Sequence, residues 1–283
     1  MNKPLGKTIQ IYLPDGNPRG VKIAEFTSRT VQAVLVPRAQ MEVAAARNEL
    51  TAVGLYFLFG ESEDTNLTAL YIGEAENCIE RLAQQNKTKD WWTVAIACVS
   101  KTAEFTKAHV KYLERFCFDE AMAAGRYKLT QTVPTKSHLS EPAIADLMDH
   151  FGTIRILTGT LGFPLFEPIP KSATTQVLVC KGKHAMATGE YTEEGMVVFA
   201  DSLLNRDDNG SLSGNVVALR KQLLATGILT PKDEATLRLT KDYIFPTPSA
   251  AAATILARSA NGWVEWKYAD GRTLAQVKRN TGK

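Results

Sequence analysis

The chain has 283 residues, of which 45% are hydrophobic and 22% charged, with a formal net charge of +3. This length supports roughly two or three domains with real cores, and the composition excludes wholesale disorder, a fibrous repeat and a polycation that would hold nucleic acid by charge alone. Cys78, Cys98, Cys117 and Cys180 are scattered with no C-x-x-C pair, so buried free thiols are expected rather than a zinc site or disulfide framework.

Residues Thr8 to Leu13 alternate, the Asp15-Gly16-Asn17-Pro18 cluster reads as a turn, and Val21 to Phe26 as a second short strand. From Pro37 to Leu50 the pattern is helical, with Met41, Ala44 and Ala45 at three- and four-residue steps. Leu55 to Phe59 and Ala69 to Ile72 predict two strands joined by a long polar loop over residues 61–66. A helix over Glu76 to Asn86, a strand over Trp92 to Val99 and a long helix from Glu104 to Ala124, stopped by Gly125, complete a β-β-α-β-α order. Beyond a connector at Pro134 to Ser140, a helical segment runs to about Leu161, with a break over residues 162–170. Then Val177 to Cys180, Ala185 to Thr188 and Met196 to Ala200 read as strands, and Asn215 to Ala225 as a helix. Ser249 suits the N-cap of an alanine-rich helix, Ala250 to Ala257, with Asn261-Gly262 as its stop.

By the two-residue strand period, Leu55, Phe57 and Phe59 share one face while Tyr56 points to the other, and Leu70 and Ile72 share a face opposed by Tyr71. Both tyrosines can therefore line one side of a sheet, with Gly54 and Gly73 at the outer ends of the two runs. Taken singly, strand tyrosines are ordinary packing residues, Glu114 a surface carboxylate beside Lys111, and Arg81 a solvated helix-face arginine. His109 falls on the apolar arc of its helix and reads as a packing histidine, while His138 has no visible partner.

The order Gly54-Leu55-Tyr56, Tyr71-Ile72-Gly73, Asn77 with Arg81-Leu82, and Tyr112-Leu113-Glu114 resembles the GIY-YIG nuclease superfamily. The flanking Leu13-Pro14-Asp15-Gly16, Pro37-Arg38, Pro248-Ser249-Ala250-Ala251 and Ser259-Ala260-Asn261-Gly262-Trp263 resemble a bacterial branch that carries an appended C-terminal domain of unknown function. The resemblance implies an α+β fold: a small three-stranded sheet flanked by helices, with a separate C-terminal α+β domain. It divides the chain into an N-terminal β/α extension (1–50), a nuclease domain (51–135), a helical connector (136–170) and the appended domain (171–283).

It also implies hydrolysis of DNA phosphodiesters with one divalent metal, Mg²⁺ or Mn²⁺, held by Glu114 as the sole carboxylate ligand. Arg81 would clamp the scissile phosphate. Tyr56 or Tyr71 would activate the water, with Tyr56 favoured as base and Tyr71 orienting phosphate or water. Gly73, Asn77 and Gln131 would contact substrate, Gln131 standing where many members carry a late asparagine. A histidine common a few residues after the arginine is replaced here by Gln84-Gln85-Asn86. The Trp91-Trp92 step reads as packing or base stacking. The expected partner is DNA, with no membrane, and the C-terminal domain could supply a protein partner or homo-oligomer contact through a mildly basic tail of Lys267, Arg272, Lys278 and Arg279. A catalytically weak nucleic-acid-binding module and an interaction protein working through its C-terminal domain are the alternatives. No stretch approaches the roughly 20 apolar residues of a membrane span, and the N-terminus has no signal-peptide core, so a cytoplasmic location is the default expectation.

Overall fold

The computed structural model describes residues 6–62, 65–169, 177–207 and 210–279. The chain divides into two compact units, one ending at Pro168 and the other running from Ile169. The first carries β1 (Ile9–Tyr12), β2 (Lys22–Phe26), β3 (Val31–Pro37), α1 (Met41–Ala45), β4 (Gly54–Ser62), β5 (Thr65–Ala75), α2 (Cys78–Thr88), β6 (Trp92–Ser100), α3 (Lys107–Ala124), β7 (Lys128–Leu129) and α4 (Glu141–Thr160). Its strands form one seven-stranded sheet in the order β1-β2-β3-β6-β4-β5-β7.

This corrects the expected small three-stranded sheet. The α+β class stands, but β4, β5 and β6 lie within a much larger sheet, and the physical cause is β3. Its sequence Val31-Gln32-Ala33-Val34-Leu35-Val36 is buried along its whole length. It pairs antiparallel with β6 from Val31↔Ser100 to Pro37↔Val94, which joins the N-terminal strands to the sheet. A strand apolar on both faces needs cover on both. Leu55, Phe57, Phe59, Leu70 and Ile72 pack with Val110, Leu113 and Cys117 of α3 and with Phe151 and Ile154 of α4. On the opposite face, Tyr56, Leu58, Val34 and Val36 pack with Cys78 and Leu82 of α2, with Trp92 and Leu50. Each buried Leu or Phe there contributes about 1.5–3 kcal/mol. The residues expected as an extension and a connector are thus integral to the first unit; the expected boundary at 170/171 falls outside the described residues.

Local differences follow from backbone chemistry. The helix expected over Pro37 to Leu50 is broken into α1 between two 3₁₀ turns, Arg38–Gln40 and Asn48–Thr51. The polar stretch expected as a loop is largely taken up by β4 and β5, although Glu63 and Asp64 lie outside the described residues. All four cysteines are free and buried, and burial pushes the Cys78 thiol up to about 12, which removes it as a nucleophile near neutral pH.

The second unit contains β8 (Leu178–Lys181), β9 (Met186–Thr192), β10 (Gly195–Val198), β11 (Leu203–Asn205), α5 (Gly214–Ala225), β12 (Leu229–Pro231), β13 (Thr236–Leu239), β14 (Tyr243–Phe245), α6 (Pro248–Leu256), α7 (Gly262–Glu265) and α8 (Leu274–Lys278). Its sheet also has seven strands, ordered β12-β13-β11-β9-β10-β14 with β8 on β9. The N-cap of α6 is Thr247, which accepts from the Ala250 N–H, and not Ser249. Ser249 instead accepts from the Gly262 N–H, and Asn261 caps α7 rather than ending the alanine helix.

Arg220 of α5 is buried, donating to the Thr254 carbonyl of α6 and, at 2.6 and 2.8 Å, to the carbonyls of Asn205 and Arg206. One guanidinium thereby ties α5, α6 and the end of β11. Arg220→Met should leave those carbonyls without a donor and destabilise the chain by on the order of 3 kcal/mol; an unchanged urea midpoint would show that the cross-link carries no stability.

Candidate active site

The site grows from the edge of the first sheet. Strand β7 pairs parallel with β5 only at Ala69↔Lys128 and Leu70↔Leu129, so β5 runs on beyond its neighbour. Thr130 still donates its N–H to the Leu70 carbonyl at 3.0 Å. Beyond that point side chains serve the exposed edge: Gln131 Nε2 donates to the Ile72 carbonyl at 2.8 Å, and the Glu114 carboxylate of α3 accepts from the Glu74 N–H. Backbone groups left without a strand partner require such substitutes.

Tyr56 and Tyr71 lie on the α2 face, their rings stacked with centroids 6.0 Å apart and 25° between planes. Tyr56 is fully buried. Its hydroxyl accepts from Gln85 Nε2 at 2.9 Å and from Arg81 Nε at 3.3 Å. Burial, followed by the neighbouring Tyr71, raises its pKa far above the ordinary value, with the Arg81 and Gln85 hydrogen bonds pulling partly back. A phenol so buried and so weakly acidic is poorly suited to take a proton from water. Tyr71 keeps exposed surface, and Lys89 Nζ sits 4.6 Å from its ring centroid.

Gly73 earns its place through Tyr56. A β-carbon there would lie 2.4 Å from both Cζ and Oη of the Tyr56 ring. Asn77 caps α2, accepting from the Glu80 N–H at 3.3 Å while its Nδ2 donates to Glu80 Oε1 at 2.8 Å. Both atoms of its amide are therefore held by the helix end. Gln131 commits its donor to Ile72, and its Oε1 is buried without a partner.

Glu114 is half-buried, and its pKa is pushed up to about 7. Burial is the largest cause and Glu74 adds to it, while the Glu74 N–H, Lys111 and Arg81 act in the opposite direction. Arg81, Glu74 and Glu114 are thus within electrostatic reach of one another, and Arg81 is raised first by its bond to Tyr56. Glu74 was not anticipated from the sequence. The signal was available: two residues after Ile72, it shares that residue's face, the one α3 covers.

The donor set fits the implied Mg²⁺ or Mn²⁺. Among the described residues no group of three or more His, Cys, Asp or Glu could hold a metal ion, but a hard cation keeping most of its waters needs only one or two carboxylates and a phosphate oxygen. The raised pKa of Glu114 marks a carboxylate whose charge lacks full compensation. Glu114 would hold the cation, with Glu74 beside it.

The remaining candidates resolve as structure. His109 closes a capping box with Thr106 at the start of α3, His138 is exposed in a loop, and Trp92 is fully buried beneath the Arg38 guanidinium. In the tail, Arg272 pairs with Asp270 at 2.7 Å and Arg279 stacks on Trp263 at 3.7 Å. Among the described residues no helix is long and apolar enough to cross a membrane.

Residues 178–278, from β8 to α8, match a family described only as a domain of unknown function, DUF4357. No curated protein and no solved structure matches the chain.

Two predictions follow from this geometry. Gly73→Ala should destabilise the fold by about 1–3 kcal/mol through overpacking against Tyr56. In urea titrations that cost should vanish when Tyr56 is also replaced by leucine, and a cost that persists would place the clash elsewhere. For Glu114, the folded chain holds the proton up to about pH 7 whereas an unperturbed carboxyl loses it near 4.5. Metal-free wild type should therefore lose stability as pH rises between those values. Glu114→Gln should lack this loss, melting like wild type below pH 4.5 and higher than wild type above pH 7; parallel melting curves would refute the shift.

Proposed function

We propose that the first unit is a divalent-metal-dependent DNA endonuclease of the GIY-YIG kind, acting in the cytoplasm. The observation that carries this reading is that Tyr56, Tyr71 and Arg81 contact one another on the α2 side of β4 and β5 with Glu114 within electrostatic reach of Arg81, although the four come from two strands and two helices. Four free, buried cysteines suit a reducing compartment.

In this reading Arg81 binds the scissile phosphate and neutralises the charge that builds on its oxygens. Glu114, with Glu74, would hold the cation, which when bound would polarise the phosphate and acidify water. Tyr71, the tyrosine with exposed surface, touches the attacking water, and Lys89 and Lys111 give flanking phosphates positive partners. The burial of Tyr56 shifts the base role away from it. The second unit would serve DNA, a protein partner or a second copy of the chain.

The test is cleavage of supercoiled plasmid and single-stranded DNA with Mg²⁺ or Mn²⁺. Wild type should cut, and folded Glu114→Ala and Arg81→Ala should each lose about 10²-fold or more in rate. DNA binding without cleavage at any divalent ion concentration would point to a binding module, and Glu114→Ala cutting as fast as wild type would remove the assigned metal ligand.

A further inference from the structure

We infer that Gln85 is a positioning residue for Arg81, acting through the hydroxyl of Tyr56; its catalytic consequence rests on the nuclease reading above.

The buried face of α2 is set by Cys78, Leu82 and Gln85, at helical spacings of four and three. The first two are ordinary core residues. The third is a glutamine, 5% exposed, in a cluster otherwise made of Tyr56, Leu58, Trp92, Val99 and their neighbours. An amide in such surroundings is costly unless it is hydrogen-bonded, and a leucine would pack there without that cost. Gln85 Nε2 makes one bond, to Tyr56 Oη at 2.9 Å, and its Oε1 has no partner. The amide is therefore buried for the sake of that phenol.

The phenol in turn serves Arg81. A tyrosine oxygen accepts hydrogen bonds in a limited fan of directions. With Gln85 occupying one side, the other takes the Nε–H of Arg81 at 3.3 Å. A hydrogen bond at Nε restricts the planar guanidinium and leaves its two terminal nitrogens uncommitted to the tyrosine, as bidentate phosphate binding needs. One of them, Nη1, rests on the exposed Gln84 Oε1 at 2.5 Å, a contact that a phosphate oxygen can replace. Gly73 completes the seat, since its missing side chain is the space that the Tyr56 hydroxyl end occupies. Gln85, Tyr56 and Gly73 thus hold a long side chain that would otherwise explore many rotamers.

The experiment combines two readouts on the full chain. The first is exchange of the Arg81 Nε proton with solvent, followed by ¹⁵N NMR in wild type, Gln85→Leu, Gln85→Met and Tyr56→Phe. Exchange should accelerate about tenfold in every variant. The second is plasmid cleavage. Gln85→Leu should lower kcat on the order of 10²-fold with KM for DNA little changed, and should add nothing further in the Tyr56→Phe background. Gln85→Met, which fills the same volume with a more adaptable side chain, serves if the leucine variant does not fold. Unchanged exchange in the Gln85 variants, or additive losses in the double variant, would overturn the proposal. A wild type that cuts no DNA would remove the nuclease reading while leaving the exchange measurement to decide the positioning claim.

Discussion

One mismatch in length organises the first unit: β5 extends from Thr65 to Ala75, while β7 pairs with it only through Leu129. An edge strand cannot leave its backbone groups idle in a half-buried place. Past Leu70 the groups that answer them are side chains, the Gln131 amide at Ile72 and the Glu114 carboxylate at Glu74. A carboxylate recruited to satisfy a backbone N–H is thereby brought beside a second acid and within the field of an arginine. The chemistry of the edge follows from its incomplete pairing.

The sheet decides which groups can work there. Because both faces are covered, alternation along β4 sends Phe57 toward α3 and Tyr56 toward α2 with no exposed option for either. Tyr56 is consequently an interior residue, and its hydroxyl can act on the surface only through what it holds. Tyr71, nearer the open edge, retains contact with solvent. Two residues that look equivalent in the sequence are separated by one strand position in the sheet.

Much of this was legible in the sequence, and the failures have physical reasons. Strand alternation placed Leu55, Phe57 and Phe59 opposite Tyr56, and Leu70 and Ile72 opposite Tyr71. The full sheet was missed because Val31 to Val36 lacks the period-two pattern of a half-buried strand; a run apolar at every position but Gln32 is the signature of burial on both faces. The β11, β12 and β14 strands have three residues each, too few to show any period. Thr247 rather than Ser249 is the cap because Pro248 takes the first helical position, where proline is well tolerated. The approach of Glu114 to Glu74 depends on where β7 stops, which local sequence does not encode.

The fit between Tyr56 and Gly73 bears on how such motifs should be interpreted. With 2.4 Å between the ring and the site of a β-carbon, the two positions behave as one unit of steric information written in two places along the chain. Neither can drift alone without disturbing the interior, so selection for folding would preserve both even in a descendant that no longer performed any reaction. A tyrosine and glycine at this pairing testify first to architecture; testimony about chemistry has to come from groups whose retention the interior does not demand, and at this edge those are Arg81 and Glu74.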